Sequence, residues 1–444
     1  MKEISAAVER YRELILSAER DIWKTPETGY KEFKTSAYMA EQFRALGYEL
    51  TMAEGITGFY TVIDTGREGP EVLVLGELDS IICPAHPDAD PETGAVHSCG
   101  HNAQCAALLG VAAALTDKKV LSKLSGRIRL CAVPAEELLE IEYRSELKKQ
   151  GKIRYFGGKS EFLSRGYFDG VDLAFMVHTA SRFSVIGGSN GCLAKSILYK
   201  GQAAHAGGAP HNGINALYAA TCGIGAVNAI RETFRESDQI RFHPIVTHGG
   251  DMVNAIPETV TLESYVRGKS FEAMERENKK VNRALCGAAL SLGANVEIVD
   301  IPGYSPLTNA PDMIQLAADA AELALPDVPF EVKADTFSCG STDMGDLSCI
   351  MPVVHPYAAG ARGKDHGNNY EIWDPVSACV DNAKWQVAML LLLLGDGAKR
   401  ATQILADFKP LFSSKEEFLA YQDSLNACGD RILYREDGRA EVIL

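Results

Sequence analysis

The stretch VHSCGHNAQCA at residues 96–106 carries the most information about this chain. It places Cys99 two positions before His101, and residues i and i+2 of an extended turn project the same way. The apolar run at residues 71–76 predicts a strand upstream, and residues 102–115, rich in alanine and leucine, predict a helix. The positive end of that helix favours the thiolate of Cys99, the form that binds metal. The stretch therefore predicts a strand–turn–helix unit whose turn binds one metal ion or two adjacent ions.

Length and composition narrow the class of protein. The 444 residues exceed one ordinary hydrophobic core, so we expect two domains. A net charge of −15 argues against nucleic acid or an anionic membrane as a partner. The longest apolar run, residues 387–394, is too short to cross a bilayer, and the first residues lack the apolar core of a signal peptide. Eleven scattered cysteines do not resemble a disulfide framework, so the sequence predicts a cytoplasmic protein.

The order of apolar runs predicts an α/β fold in two domains. In residues 1–188 strand-like runs alternate with helical patterns, which predicts a catalytic α/β domain with a mixed, largely parallel sheet. Residues 189–302 follow a β-α-β-β-α-β order, typical of a small α+β split-βαβ (ferredoxin-like) domain. Residues 303–444 resume the first pattern, so the small domain is inserted into a discontinuous catalytic domain. The individual predictions include strands at 59–64, 71–76, 127–133 and 172–178, and helices at 4–23, 36–45, 102–115 and 159–166.

Two adjacent carboxylates, Glu136 and Glu137, follow the predicted strand at 127–133. Because successive side chains leave a strand on opposite sides, the two are not placed for the same task. One can bind a metal ion while the other faces the bound water as a general base. The alternative is a solvated acidic loop at the end of a strand.

Three histidines are candidates for completing a metal site. His178 closes the apolar run at residues 173–177, where a hydrogen-bonded structural role is the alternative. His366 lies in the loop GKDHG at 363–367, and by itself would be assigned to the surface. His355, which precedes a proline, is the rival of His366 for the last ligand position.

Taken in order, these residues resemble the M20 metallopeptidase family, specifically its amidohydrolase branch with the metal motif H-x-C-G-H. Two further segments are similar to signatures of that family. One is GQAAHAGGAPHNGINA at residues 201–216, and the other is GGDMVNAIP at residues 249–257. The resemblance extends over roughly residues 5 to 395.

The resemblance implies a site for two divalent metal ions. Cys99 would bridge the two ions, and Glu136 would act as the general base. Mixed sulfur, nitrogen and oxygen ligands suit zinc or manganese, with cobalt or nickel possible. The remaining ligands would be His101, Glu137, His178 and His366.

The chain departs from the family pattern at three places. In GELD at 76–79, Glu77 replaces a possible histidine ligand, and Asp79 is expected to orient a ligand histidine. Asn102 replaces the usual aspartate after His101, and STDMGD at 341–346 replaces a commoner G-S-E-D. These variants resemble the subgroup that contains one of the p-aminobenzoyl-glutamate hydrolase chains and certain dipeptidases.

The resemblance also assigns roles in the inserted domain, which serves the family as a lid and dimerisation domain. His205 would stabilise the oxyanion, in the active site of the partner protomer. Asn254 and Arg267 would bind a carboxylate of the substrate. On the residues alone, Asn254 could equally form a turn and Arg267 could be a surface charge. We expect a homodimer through the inserted domain, with a heteromer as the alternative.

The sequence therefore predicts a dinuclear-metal-dependent amidohydrolase or peptidase. Its substrates would be N-acyl amino acids, aminobenzoyl-glutamate-like conjugates or dipeptides with a free carboxylate. The alternative is a non-catalytic or partner-dependent member of a hetero-oligomeric hydrolase, which would have no need of both Glu136 and a full ligand set. A cysteine-based redox protein is excluded because no C-x-x-C spacing occurs.

Overall fold

A computed structural model describes residues 2–444, which form two compact units. The first unit comprises the chain up to Gly188 together with Leu307–Phe337 and Asp343–Lys415. The second unit comprises Ser189–Pro306, Ser338–Thr342 and Glu416–Leu444. In the described part of the chain, no helix is both long and apolar enough to span a membrane.

The α-helices of the described residues are α1 Lys2–Glu9, α2 Arg12–Trp23, α3 Phe33–Ala45, α4 His101–Leu115, α5 Lys118–Leu121, α6 Ile141–Lys149, α7 Gly158–Ser164, α8 Ala216–Ile230, α9 Phe271–Ser291, α10 Pro311–Ala324, α11 Met344–Ser348, α12 Asn382–Leu394, α13 Lys399–Asp407 and α14 Lys415–Ser424.

The strands are β1 Thr51–Met52, β2 Phe59–Asp64, β3 Glu71–Glu77, β4 Ile81–Ile82, β5 Ala95–Val96, β6 Arg127–Val133, β7 Leu173–Phe175, β8 His178–Thr179, β9 Phe183–Ser189, β10 Gly191–Lys200, β11 Ala204–His205, β12 Arg241–Phe242, β13 Ile245–His248, β14 Ala255–Ile256, β15 Thr259–Gly268, β16 Asn295–Tyr304, β17 Leu307–Thr308, β18 Phe330–Ser338, β19 Val353–Val354, β20 Tyr357–Ala358, β21 Ala361–Arg362, β22 Glu371–Ile372, β23 Ile432–Tyr434 and β24 Ala440–Val442.

The first unit is built on a mixed sheet of six strands in the order β1-β2-β6-β3-β7-β19. Strand β3 lies between β6 and β7, is parallel to both, and is buried along its whole length, which explains its continuous apolar run. Every residue of α4, which packs against β3, is also buried. The predicted α/β class with a mixed, largely parallel sheet is confirmed. Because β3, β6 and β7 are parallel, their carboxyl ends meet at one edge of the sheet.

Two predicted elements of the first unit are interrupted in the structure. The single helix predicted at 4–23 is two helices, because the chain tightens where the Tyr11 N–H donates to Val8 O instead of to the residue before it. The strand predicted at 172–178 ends at Phe175. His178 then begins β8 in another sheet, since its N–H donates to Pro356 O.

The second unit is an antiparallel sheet in the order β12-β15-β10-β16, with β13 also paired to β15. Helices α8 and α9 pack on this sheet, and their position in the chain completes the β-α-β-β-α-β order. The second strand of that order is divided into β12 and β13. This strand order is the one expected of a split-βαβ domain.

The end of the chain corrects one predicted boundary. The sequence pattern assigns residues 303–444 to the catalytic domain, but residues from Glu416 onward belong to the second unit. Asp300 in β16 exchanges two backbone hydrogen bonds with Ala427, and Ile432 is buried in the apolar core of the second unit. The tail is held there because it pairs with the exposed edge of β16 and buries an apolar side chain. How these two units correspond to a catalytic domain and a lid remains a prediction.

Candidate metal centre

Seven side chains at the carboxyl edge of the first unit's sheet form three groups of possible metal ligands. Within each group the ligand atoms lie within 4.8 Å of one another. Cys99 belongs to two groups, and His101 also belongs to two. The groups are Cys99 with His101 and His178, Cys99 with Glu137 and His366, and Glu77 with His101 and Glu136.

Cys99 is positioned by the glycine that follows it. Gly100 has a φ of 80°, and a Cβ atom there would meet Thr179 Oγ1 at 2.0 Å. Glycine is therefore required for this turn to approach the neighbouring strand. Cys99 Sγ lies 3.4 Å from His178 Nε2. Burial and Glu137 act to raise the pKa of the Cys99 thiol, but the positive charges of His178 and His101 outweigh them and lower it to about 6.

His101 begins α4 and is completely buried. Its Nδ1 lies 2.9 Å from the backbone oxygen of Asp79 and 3.2 Å from Asp79 Oδ1, so this nitrogen is placed to donate to Asp79. The other nitrogen, Nε2, then faces the site. A ligand histidine is commonly fixed through its second nitrogen in this way. Asp79 Oδ2 also accepts a hydrogen bond of 2.8 Å from the backbone N–H of Glu137.

A left-handed turn separates the two adjacent carboxylates from β6. Ala135 has a φ of 55°, and its N–H donates to Glu32 Oε1 at 2.8 Å. Beyond this turn the carboxylates diverge, because Glu137 Oε1 lies 2.9 Å from His366 Nε2 while Glu136 faces Glu77 and His101. The two carboxylates therefore belong to different ligand groups.

The two carboxylates also differ in their electrostatics. Burial, with Glu77 and Glu137 nearby, raises the pKa of Glu136 well above its ordinary value. Burial also opposes ionisation of Glu137, but the adjacent His366 outweighs it and lowers the pKa of Glu137 to about 2. Neighbouring carboxyl groups with pKa values pushed apart are suited to separate roles as proton carrier and ligand.

His366 and His355 occupy different environments. The His366 side chain is 52% exposed and approaches Glu137 from a loop in which the residue has a φ of 59°. His355 is buried, neither of its ring nitrogens has a hydrogen-bond partner, and it belongs to none of the three ligand groups. Burial lowers the pKa of His355 to about 3. Of the two candidates for the last ligand, His366 is the one that the fold places beside Cys99 and Glu137.

The sequence analysis missed one feature, a buried lysine. Lys159 is completely buried, its Nζ lies 2.5 Å from Glu77 Oε1, and it forms a second ion pair with Asp343. The sequence analysis noted Glu77 as a lost ligand and the segment 341–346 as a motif variant, and it did not consider Lys159. A lysine at the start of a predicted helix carries no signal of burial, so only the structure identifies it.

The residues at this edge fit a divalent metal ion. Glu77 Oε2 and His101 Nε2 are buried, have no hydrogen-bond partner and lie 3.3 Å apart. A thiolate, imidazoles and carboxylates together are a donor set for zinc and neighbouring transition metals. Buried polar atoms that lack partners cost free energy unless something binds them.

In the second unit, the fold brings His205 and Asn254 close together. Strand β11 ends at His205 and pairs with β14, and the N–H of Ala206 donates to Asn254 O at 2.9 Å. His205 is exposed, and its Nδ1 accepts hydrogen bonds from the N–H groups of Gly207 and Gly208. When Nδ1 accepts, a neutral imidazole carries its proton on Nε2. His205 is therefore a hydrogen-bond donor directed away from its own loop.

Arg267 lies on β15 and is half-buried. Its Nη1 donates to Ser341 Oγ at 3.2 Å, and its guanidinium lies 5.3 Å from the centre of the Tyr265 ring. Arg267 Nε is buried without a hydrogen-bond partner. This guanidinium therefore has donor capacity that the described residues leave unused.

Comparison with known proteins gives a consistent family. The sequence model of peptidase family M20/M25/M40 matches residues 75–391. Xaa-Arg dipeptidase of Mus musculus is 26% identical over 88% of this chain and 85% of its own length. One chain of the Escherichia coli p-aminobenzoyl-glutamate hydrolase is 26% identical over 69% of this chain and 78% of its own length. A Bacillus subtilis protein described as a dinuclear metal binding peptidase of the M20 family has a similar structure, with a TM-score of 0.63, 19% identity, and coverage of 87% of this chain and 99% of its own.

Proposed function

Because this chain belongs to peptidase family M20/M25/M40, we propose that it is a hydrolase dependent on two divalent metal ions. Its substrate would be an amide with a free carboxylate, such as a dipeptide, an N-acyl amino acid or a conjugate like p-aminobenzoyl-glutamate. The observation that carries the proposal is that Cys99 belongs to two ligand groups at once, with two dissimilar carboxylates beside it.

The proposed ligands divide into two sets that share the thiolate of Cys99. His101 and His178 complete one set, and Glu137 and His366 complete the other. When bound, the two ions would polarise the scissile carbonyl and lower the pKa of the attacking water. The similar fold of a dinuclear metal binding peptidase from Bacillus subtilis agrees with this arrangement. Zinc and manganese both suit the donor set, and so do cobalt and nickel.

Glu136 is the proposed general base. Its carboxylate would take a proton from the attacking water and pass it to the departing amine nitrogen. Because burial raises its pKa, the Glu136 carboxyl can hold the proton between these two transfers. Glu137, whose pKa is low, remains an anion throughout and is suited to ligation.

The second unit would supply the groups that bind substrate. His205 Nε2–H would donate to the developing oxyanion, and Asn254 and Arg267 would bind the substrate carboxylate. The unused donor capacity of Arg267 supports this role. The names of the relatives, Xaa-Arg dipeptidase and p-aminobenzoyl-glutamate hydrolase, both describe substrates in which an amide nitrogen belongs to an amino acid.

The proposed assembly is a homodimer through the second unit. Strand β13 lies at an edge of the sheet, and Ile245 and Val246 on it are 62% and 48% exposed. An exposed apolar edge strand is suited to pairing with another chain. A heteromer with a related chain is the alternative, and the mass of the purified assembly decides between them.

The test is hydrolysis of a panel of dipeptides, N-acyl amino acids and p-aminobenzoyl-glutamate, with manganese or zinc added to chelator-treated protein. The expected result is metal-dependent release of amine that Glu136→Gln abolishes while leaving the bound metal in place. The matched control is Glu142→Gln, which removes a carboxylate from the exposed side of α6 and should change nothing. Bound metal without turnover on any substrate would contradict the proposal and favour a partner-dependent role in a larger hydrolase.

A further inference from the structure

Glu77, the last residue of β3, has two carboxylate oxygens in different environments. Oε1 lies 2.5 Å from Lys159 Nζ, whereas Oε2 has no hydrogen-bond partner among the described residues. Oε2 instead faces His101 Nε2, which also lacks a hydrogen-bond partner, at 3.3 Å. Both side chains are completely buried, so water does not compensate these two atoms.

The spacing of these two atoms suits a shared metal ion. Nitrogen and oxygen ligands lie about 2.0–2.2 Å from zinc, so two of them on a tetrahedral ion are about 3.3–3.6 Å apart. The distance between Glu77 Oε2 and His101 Nε2 is 3.3 Å. His101 Nε2 is also the atom that approaches Cys99 and His178, so one ion on this nitrogen lies next to Glu77.

Charge gives the same indication. Lys159 is a single ammonium shared by two buried carboxylates, Glu77 and Asp343. One positive charge does not compensate two negative ones, and an uncompensated charge is costly in a buried site. A cation at His101 Nε2 would supply the missing positive charge directly opposite the free oxygen of Glu77.

Lys159 is itself held in place by the segment STDMGD at residues 341–346. Asp343 Oδ2 accepts a hydrogen bond of 2.9 Å from the backbone N–H of Lys159. Asp346 Oδ2 accepts one of 2.7 Å from Ser160 Oγ. These contacts fix the first residues of α7, so Lys159 Nζ reaches Glu77 from a fixed backbone position.

We propose that Glu77 is a further ligand, through Oε2, of the ion that His101 Nε2 binds, and that Lys159 is the residue that positions it. This inference rests on the two-metal function proposed above. The competing interpretation is that Glu77 is only the ion-pair partner of an imidazolium at His101 and does not touch a metal.

The test is the binding of Co²⁺ to chelator-treated wild type, Glu77→Gln and Glu71→Gln. Glu71 is the matched control because it lies at the other end of β3, is equally buried, and is ion-paired with Arg127 and Arg129. Elemental analysis gives the number of ions per chain, and competition with a chromophoric chelator gives each affinity. The visible spectrum separates d–d bands, which follow coordination number, from the thiolate-to-cobalt band of Cys99.

We expect wild type and Glu71→Gln to bind two ions with equal affinities. Glu77→Gln should bind one of the two at least 100-fold more weakly, since loss of an outer partner alone typically costs about 10–100-fold. Its d–d bands should change while the thiolate band remains. If Glu77→Gln does not fold, Glu77→Asp replaces it, because it keeps the charge but withdraws the oxygen by one methylene.

Three results would overturn the inference, and they are distinguishable from failure of the proposed function. Unchanged affinities and d–d bands in Glu77→Gln would show that Glu77 is not a ligand, although the two-ion function would stand. An equal loss in Glu71→Gln would assign the effect to the strand rather than to ligation. A wild type that binds fewer than two ions would contradict the proposed function itself.

Discussion

Replacing Asp79 with asparagine tests how the fold orients the candidate metal centre. One oxygen of Asp79 accepts the backbone N–H of Glu137 at 2.8 Å, and the other lies 3.2 Å from His101 Nδ1. Asparagine has one acceptor and one donor, so it can keep only one of these contacts. If its oxygen stays on the Glu137 N–H, its NH₂ group is turned toward the N–H of His101.

The magnitude follows from the contact that is lost. A hydrogen bond to a charged group contributes about 1.5–3 kcal/mol, so Asp79→Asn should lower the free energy of unfolding by about that amount. His101 keeps the backbone oxygen of Asp79 as an acceptor at 2.9 Å, which limits the damage to its orientation. Loss of an orienting partner typically costs about 10–100-fold in metal affinity. The loss should fall on the ion that His101 binds and spare the one between Glu137 and His366.

The assay is urea unfolding of the metal-free protein together with competition titration of each ion. Asp172→Asn is the matched control, because Asp172 Oδ2 also accepts a backbone N–H at 2.8 Å, from Glu71 at the opposite end of the same sheet. The control should lose stability and keep both metal affinities. Equal weakening of both ions in Asp79→Asn, or no weakening of either, would refute the orienting role.

Three further changes test other parts of the structure. In metal-free protein, alkylation of Cys99 should rise with pH through about 6, where its thiolate forms, as followed by peptide mass spectrometry; a midpoint above pH 8 would contradict this. Ala135→Gly relieves about 1–2 kcal/mol of left-handed strain but loses a buried methyl and adds chain entropy, so the free energy of unfolding should stay within about 1 kcal/mol of wild type. Turnover by this variant should fall because the turn before Glu136 is less fixed, and unchanged turnover in a steady-state assay would show that the turn does not position that residue. Ile432→Ala should cost about 2–5 kcal/mol in urea unfolding, and a neutral effect would contradict the packing of the tail against the second unit.

The strands of the first sheet could be predicted because their apolar runs are local. Strands β2 and β6 begin and end where the sequence places them, and β3 extends one residue further, to Glu77. The break after Phe175 could not be predicted, because it depends on a hydrogen bond from His178 to Pro356, far along the chain. The break near Tyr11 likewise has no proline or glycine to mark it.

The ligand candidates were found because motif order stands in for distance. Cys99, His101 and His178 are separated in the sequence, yet the parallel strands bring them to one edge of the sheet. The pairing of Lys159 with Asp343, 184 residues away, has no such motif. Long-range ion pairs between buried groups depend on packing that no local pattern records.

The order of the ligands along the chain has a consequence for synthesis. The second unit interrupts the first after Gly188, so His366 leaves the ribosome only after most of the second unit has been made. The ligand set of Cys99, His101 and His178 is complete on the nascent chain at an early stage, but the set that needs His366 is not. A half-finished chain can therefore hold one ion tightly while remaining unable to assemble the pair, so hydrolytic competence would be delayed until nearly the whole protein has emerged.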